Sequence, residues 1–135
     1  MNNDNKLKAE SILHQKIHDF FDKELEVITI NLCTTDGFST YSLSRSNNDI
    51  EEDKVAAIAS TLCSISNTSA EQISNGSFNL ATVESENGSI LFLRTQFIEL
   101  QSVLCVATSK KISLGEARFH CQRLASEIEN IWPLV

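Results

Sequence analysis

The segment Lys54-Val-Ala-Ala-Ile-Ala-Ser-Thr-Leu-Cys-Ser-Ile-Ser66 predicts a helix that is built largely from small side chains. At about 100° per residue, the larger apolar residues of this region fall on one side of the helix, which is expected to pack on a sheet. This larger stripe contains Val55, Ile58, Leu62, Ile65, Ser69 and Ile73. A second stripe, centred about 130° away, contains only small or uncharged residues. Its members are Ala56, Ser60, Cys63, Asn67, Ala70 and Ser74, with Ala59 between the two stripes.

The small stripe predicts a contact with another helix. A solvated helix surface normally carries charge, and this stripe contains no Lys, Arg, Asp or Glu. Because small side chains allow two helices to approach closely, we predict that the stripe packs against the same helix of a second chain in a two-fold dimer. The predicted interface consists of Ala56, Ala59, Ser60, Cys63, Asn67 and Ala70. The other interpretation is a small-residue face that is simply left in water.

The first part of the chain predicts a helix and two strands. Leu13, Ile17 and Phe20 recur at helical spacing between Lys6 and about Lys23. Alternating apolar and polar residues then predict strands at Glu26–Thr34 and Phe38–Arg45, joined by an Asp36-Gly37 turn. In the first strand, Ile28, Ile30 and Leu32 are expected on one face, and Thr29, Asn31 and Cys33 on the other.

The second part predicts the central helix, three strands and a final helix. Asn47-Asn48-Asp49 supplies N-cap candidates, and Asn75-Gly76 is expected to end the central helix. Strands are predicted at Phe78–Ser85, Ser89–Phe97 and Leu100–Ser109, the first two joined by Asn87-Gly88. Ser113-Leu-Gly-Glu116 is a capping box, and the helix that it opens is expected to extend to Ile131.

This order predicts an α+β fold with a five-stranded antiparallel sheet and three helices, in the order α-β-β-α-β-β-β-α. We expect one domain over residues 1–135, because this length suits a single core and no linker interrupts the pattern. Residues 1–5 are polar and are expected to be disordered. The two terminal helices can share one face of the sheet.

Composition disfavours several classes of partner. The net charge is −7 and the basic residues are scattered, which argues against nucleic acid and anionic membranes. The sequence has no apolar leader and no apolar run of membrane-spanning length, so we expect a cytoplasmic protein. The four cysteines contain no Cys-x-x-Cys pair, which favours buried thiols over a zinc or redox site.

We predict no catalytic, cofactor-binding or metal-binding residue. His14 and His18 have the i, i+4 spacing of metal ligands, but no third ligand is evident. No Ser lies in a Gly-x-Ser-x-Gly elbow, and the chain contains no P-loop or Gly-x-Gly-x-x-Gly sequence. The chain is therefore not expected to be an enzyme.

Several short features together resemble the roadblock / dynein light-chain family. They are Asp36-Gly37, Ala56-Ala57, Gly76, the acidic hairpin Glu84-Ser-Glu-Asn-Gly88, and Leu114-Gly-Glu-Ala-Arg118. The resemblance implies a roadblock/profilin-like fold and a homodimer in which the central helices pack together and the two sheets can join. It also implies a role in regulating or scaffolding small Ras-like GTPases, without a general catalytic residue.

The resulting hypothesis is a non-catalytic homodimeric adaptor that binds a small Ras-like GTPase and modulates its nucleotide cycle or location. Arg94, in the middle of a predicted strand, is a candidate contact with a partner, although a snorkelling side chain explains it equally well. One alternative is a GAF- or PAS-type small-molecule sensor, which would need an apolar cavity with convergent polar groups. The other is a structural subunit of a larger signalling assembly.

Overall fold

The computed structural model describes residues 3–45 and 51–134. Over these residues the chain forms α1 (Asn3–Lys23), β1 (Val27–Thr34), β2 (Ser39–Ser44), α2 (Glu52–Ser74), β3 (Leu80–Ser85), β4 (Gly88–Phe97), β5 (Leu100–Ser109) and α3 (Leu114–Glu129). The predicted fold class and element order are confirmed. Helix α1 begins three residues before its predicted start, so residues 3–5, which were expected to be disordered, form its first turn.

The five strands form one antiparallel sheet in the order β2-β1-β5-β4-β3. The hairpins β1–β2, β3–β4 and β4–β5 supply three of the four pairings, and β1 pairs with β5 to join them. This arrangement leaves β2 and β3 as the two edge strands. An edge strand presents unpaired backbone N–H and C=O groups, so each edge can accept a further strand.

Two hairpin turns have unusual backbone geometry. At the β3–β4 turn, Gly88 has φ +144°, and a Cβ atom there would lie 1.9 Å from the Thr108 carbonyl oxygen. This turn therefore requires the glycine of the Asn-Gly pair. At the β4–β5 turn, Ile98 and Glu99 have φ values of 49° and 65°. Both central residues are thus left-handed, as in a type I′ turn, although neither is a glycine.

Helices α1 and α3 cover the same face of the sheet, as predicted. Leu13 and Ile17 of α1 and Leu124 and Ile128 of α3 are fully buried in the larger core. The sheet side of this core includes Ile30, Leu32, Leu91, Leu93, Leu104 and Val106. The predicted alternation of β1 is confirmed from Ile30 to Cys33. Ile28 departs from the alternation, because the β1–β5 register shifts between Val27 and Thr29. Ile28 and Thr29 consequently line the same groove.

Helix α2 covers the opposite face, and here one prediction is wrong. The small stripe, not the larger one, packs on the sheet. Ala56, Ala59 and Cys63 form the smaller core together with sheet residues, and the Cys33 thiol donates to the Ala56 carbonyl oxygen at 3.8 Å. The sheet residues of this core are Cys33, Phe92, Val103 and Cys105, with Phe78 just before β3.

This orientation places the small side chains of α2 against a core that contains two phenylalanines. Phe78 and Phe92 are buried beneath α2, and side chains as small as Ala56 and Ala59 can pack closely against such large rings. Of the larger stripe, Val55 and Leu62 are half-buried at the edge of this core, and the three isoleucines face outwards. Ile58, Ile65 and Ile73 are 52%, 58% and 84% exposed.

The observed helix ends match two predicted caps. Asn75 adopts the left-handed conformation, and its N–H donates to the Ala70 carbonyl oxygen. The Ser113 side chain accepts a hydrogen bond from the Glu116 N–H, which starts α3 as the capping box predicts. The N-cap candidates Asn47, Asn48 and Asp49 lie outside the described residues.

Candidate interaction surfaces around helix α2

The outward side of α2 is an uncharged apolar surface, which we call the outer stripe. Ile58, Ile65, Ser69 and Ile73 are exposed along it, and Leu62 is half-buried between them. Monomeric proteins do expose single apolar residues, but three exposed isoleucines on one side of one helix form a contiguous patch. A surface of this kind is typical of a protein-protein contact.

The residues predicted for the dimer interface lie on the other side of α2. Ala56 and Ala59 are 0% exposed and Cys63 is 6% exposed, because the sheet of the same chain covers them. The Asn67 amide oxygen accepts a hydrogen bond from the Phe78 N–H, and Ser60 and Ala70 are half-buried. Ala56, Ala59 and Cys63 therefore offer no surface to a second chain. Their assignment to an interface is corrected by the orientation of α2.

Strand β3 provides a second candidate surface at the edge of the sheet. Its outer edge pairs with no described strand, and Val83 is 42% exposed there. Edge strands that avoid aggregation are usually protected by lysine, proline or a bulge. Leu80–Ser85 contains no lysine or proline and pairs regularly with β4. This edge is therefore open to strand pairing.

The four cysteines are free, buried thiols. Burial raises the pKa of Cys33 to about 11, and the pKa values of Cys105 and Cys121 to about 12. Burial also raises the pKa of Cys63, and the nearby Arg94 opposes this change. Since the thiolate is the reactive form, these thiols are poorly suited to nucleophilic chemistry.

The three histidines have structural partners within the chain. The His14 ring stacks on Tyr41 at 4.0 Å between ring centroids, and His18 Nε2 lies 2.5 Å from the Tyr41 hydroxyl oxygen. His120 Nε2 lies 3.2 Å from a Glu24 carboxylate oxygen, which links α3 to the end of α1. Within the described part of the chain, no three His, Cys, Asp or Glu side chains are grouped to hold a metal ion.

Helix α2 leaves two strips of its sheet face uncovered, one on each side of the helix. The first is a hydroxyl-rich groove that includes Thr29, Ser42, Ser44 and Thr108. The second, which we call the Arg94 groove, has a volume of about 390 Å³. It is lined by Thr35, Ser60, Cys63, Ser64, Asn67, Glu71, Ser77, Arg94 and Gln101. Arg94 lies on the α2 face with Phe92, as the strand alternation predicts.

Solved structures with the same fold confirm the architecture. A structure described as MglB with a tetrameric arrangement superposes with a TM-score of 0.78 at 12% identity, over 91% of this chain and 89% of that one. The gliding protein MglB of Thermus thermophilus gives the same TM-score and identity, over 91% and 90%. Myxococcus xanthus MglB gives 0.73 at 18% identity, over 87% and 91%. At these identities the likeness establishes the fold.

No protein of curated function matches the sequence. None of the helices in the described residues has the length and apolar character needed to cross a membrane. The model of the Roadblock/LC7 domain matches residues 13–107, from the middle of α1 to near the end of β5. Since this match spans well over half of the chain, the chain belongs to the Roadblock/LC7 domain family.

Proposed function

We propose that this chain is a non-catalytic, cytoplasmic, homodimeric adaptor that binds a small Ras-like GTPase and modulates its nucleotide cycle or location. The observation that carries the proposal is the outer stripe of α2, an apolar surface that no other described residue covers. The stripe replaces the predicted small-residue interface, so the central helix remains the dimer contact but uses its opposite side.

The outer stripe can supply useful association energy. Fully burying an isoleucine side chain contributes roughly 1.5–3 kcal/mol. Because Ile58, Ile65 and Ile73 are 52%, 58% and 84% exposed, covering them would contribute about 3–6 kcal/mol per chain before the costs of association. A two-fold contact counts this contribution twice, since both chains present the same surface.

The open edge of β3 can extend the same contact. Two β3 strands related by a two-fold axis would run antiparallel, so their backbone groups could pair and join the two sheets. The family resemblance implies this joining of sheets. Support for association also comes from the similar MglB structure that is described as a tetrameric arrangement.

The GTPase partner rests on family membership. The resemblance implies that members regulate or scaffold small Ras-like GTPases, and the binding surface would be the sheet and helix rim formed across the dimer. A non-catalytic role agrees with the chemistry of the described residues. The buried thiols have raised pKa values, and the histidines contact Tyr41 or Glu24.

The dimer is tested by the mass of the purified protein in solution. Light scattering should give twice the chain mass of 15.0 kDa. Ile65→Lys places a charge in the outer stripe and should give the monomer mass, since desolvating an unpaired ammonium group is costly. Thr68→Lys adds the same charge at an exposed α2 position outside the stripe and should leave the dimer intact. A wild-type monomer, or a dimeric Ile65→Lys variant, would contradict the proposed contact.

The partner is tested separately with Ras-like GTPases encoded in the same genome. Each is loaded with GDP or with a non-hydrolysable GTP analogue, and its binding to the purified chain is measured. Single-turnover GTP hydrolysis with and without the chain then separates stimulation from scaffolding. If the chain is dimeric and yet binds none of these GTPases in either nucleotide state, the GTPase assignment fails while the dimer stands.

A further inference from the structure

The Arg94 groove contains two opposite charges that make hydrogen bonds to their surroundings but do not pair with each other. Arg94 and Glu71 both line it, one on β4 and the other on α2. Neither side chain forms an ion pair with another described residue. Both side chains are exposed, where an ion pair contributes little to stability, so each charge is available to a ligand.

A chain of hydrogen bonds through one backbone residue connects the two exposed side chains. Arg94 Nη1 donates to the Phe78 carbonyl oxygen at 3.3 Å. The Phe78 N–H donates to the Asn67 amide oxygen at 3.5 Å, and Asn67 Nδ2 donates to a Glu71 carboxylate oxygen at 3.1 Å. Because the Phe78 side chain is buried in the α2 core, the chain of bonds is attached to the rigid part of the fold.

The remaining groups of the groove are neutral hydrogen-bonding side chains. The hydroxyl groups of Ser64 and Ser77 make no hydrogen bond to any described residue. The Cys63 thiol stays protonated at neutral pH, because burial raises its pKa. The groove therefore presents one cation, one anion and unpartnered hydroxyl groups in about 390 Å³ of space.

We propose that the Arg94 groove binds a small zwitterion, an amino acid or a similar molecule with one carboxylate and one ammonium group. The guanidinium of Arg94 presents a fork of N–H donors that suits a carboxylate. One Glu71 oxygen accepts the Asn67 hydrogen bond, which leaves the other oxygen for an ammonium group. A ligand with both charges would contact Arg94 through its carboxylate and Glu71 through its ammonium group. The proposed dimer is not needed for this site, since one chain supplies every residue named.

The site is tested by NMR with the complete, ¹⁵N-labelled protein. The probes are the proteinogenic L-amino acids, together with their N-acetyl derivatives, which lack the ammonium group, and their amides, which lack the carboxylate. We expect at least one amino acid to shift the amide signals of Asn67, Ser77 and Phe78. Its N-acetyl derivative and its amide should each bind roughly ten- to hundredfold more weakly, the usual effect of losing one charge-assisted hydrogen bond.

Two variants identify the residues responsible. Arg94→Gln and Glu71→Gln should each weaken binding by a similar factor, whereas Arg123→Gln and Glu127→Gln, exposed on α3, should not change it. Retained dispersion of the amide spectrum verifies that each variant is folded. Equal binding of the N-acetyl derivative, or binding of inorganic phosphate in place of amino acids, would reduce the groove to a plain anion site and overturn the proposal. The absence of any shift with all the probes would overturn it as well.

Discussion

Enlarging Ala59 tests the orientation of α2 directly. Ala59 is 0% exposed, and it faces a core in which Cys33 and Val103 are also fully buried. Ala59→Leu adds three carbon atoms at a position where the helix lies against the sheet. Had the small stripe faced a second chain, the same change would act on the dimer and leave the fold of one chain intact.

The expected cost follows from overpacking. Inserting methylene groups into a well-packed core costs about 1–3 kcal/mol, and a contact between a helix and a sheet leaves little room for repacking. We therefore expect a loss of about 2–3 kcal/mol in the free energy of unfolding. For a chain of this size, each kcal/mol lowers the melting temperature by roughly 3–5 °C, which predicts a decrease of about 6–15 °C.

The assay is unfolding by heat and by urea, monitored by circular dichroism at several protein concentrations. A dimer adds stability that depends on concentration, whereas damage to the fold does not. Ile58→Leu, which keeps the volume of an outer-stripe residue, is the matched control and should change stability by less than about 1.5 kcal/mol. The reasoning is refuted if Ala59→Leu unfolds like the wild type but loses the concentration dependence.

Three further predictions concern the turn, one buried hydrogen bond and the thiols. Glu99→Gly should raise the melting temperature, because a left-handed φ of 65° costs an exposed L-residue about 1 kcal/mol that glycine avoids. Thr95→Val should lower the free energy of unfolding by about 1 kcal/mol in urea titrations, through loss of the 2.7 Å bond from the hydroxyl to the Ala125 carbonyl oxygen. Burial raises the pKa of Cys105 from 9.0 to about 12. The free energy of unfolding is therefore unaffected by this thiol below pH 9 and decreases as the pH rises towards 12, because the unfolded state then loses a proton that the folded state keeps. In urea titrations over this range, the free energy of unfolding of Cys105→Ala should fall less steeply with pH than that of the wild type, by up to about 1.4 kcal/mol per pH unit.

The elements and their order were predictable because each depends on local signals. The period of two in β1, the helical stripes of α1 and α3, and the caps at Asn75 and Ser113 all reflect neighbouring residues in the chain. The β4–β5 turn was placed correctly from its flanking strands. Its left-handed Ile98 and Glu99 were not predictable, since neither residue favours that conformation.

The orientation of α2 was not predictable from periodicity. Hydrophobicity assigns the largest apolar stripe to the sheet, but a helix that is apolar on two sides has two possible orientations. The orientation also depends on the core beneath α2, which combines Phe78, four residues after the helix, with Phe92 of β4, and Phe92 meets α2 only in the folded chain. The Arg94 groove was missed for the same reason, because its lining comes from α2, β4, β5 and two connecting segments.

Helix α2 has a small stripe that packs on the sheet and an outer stripe that is exposed, and this arrangement has a consequence for the evolution of the chain. A single inserted or deleted residue in the helix would rotate everything after it by about 100°. An insertion before Ile65 would turn Ile65 and Ile73 towards the crowded sheet and Ala70 away from it, and a deletion would turn Ala70 and Ile73 away from it. Changes in length within Glu52–Ser74 should therefore be rejected during divergence, even where single substitutions on the outer side are accepted freely.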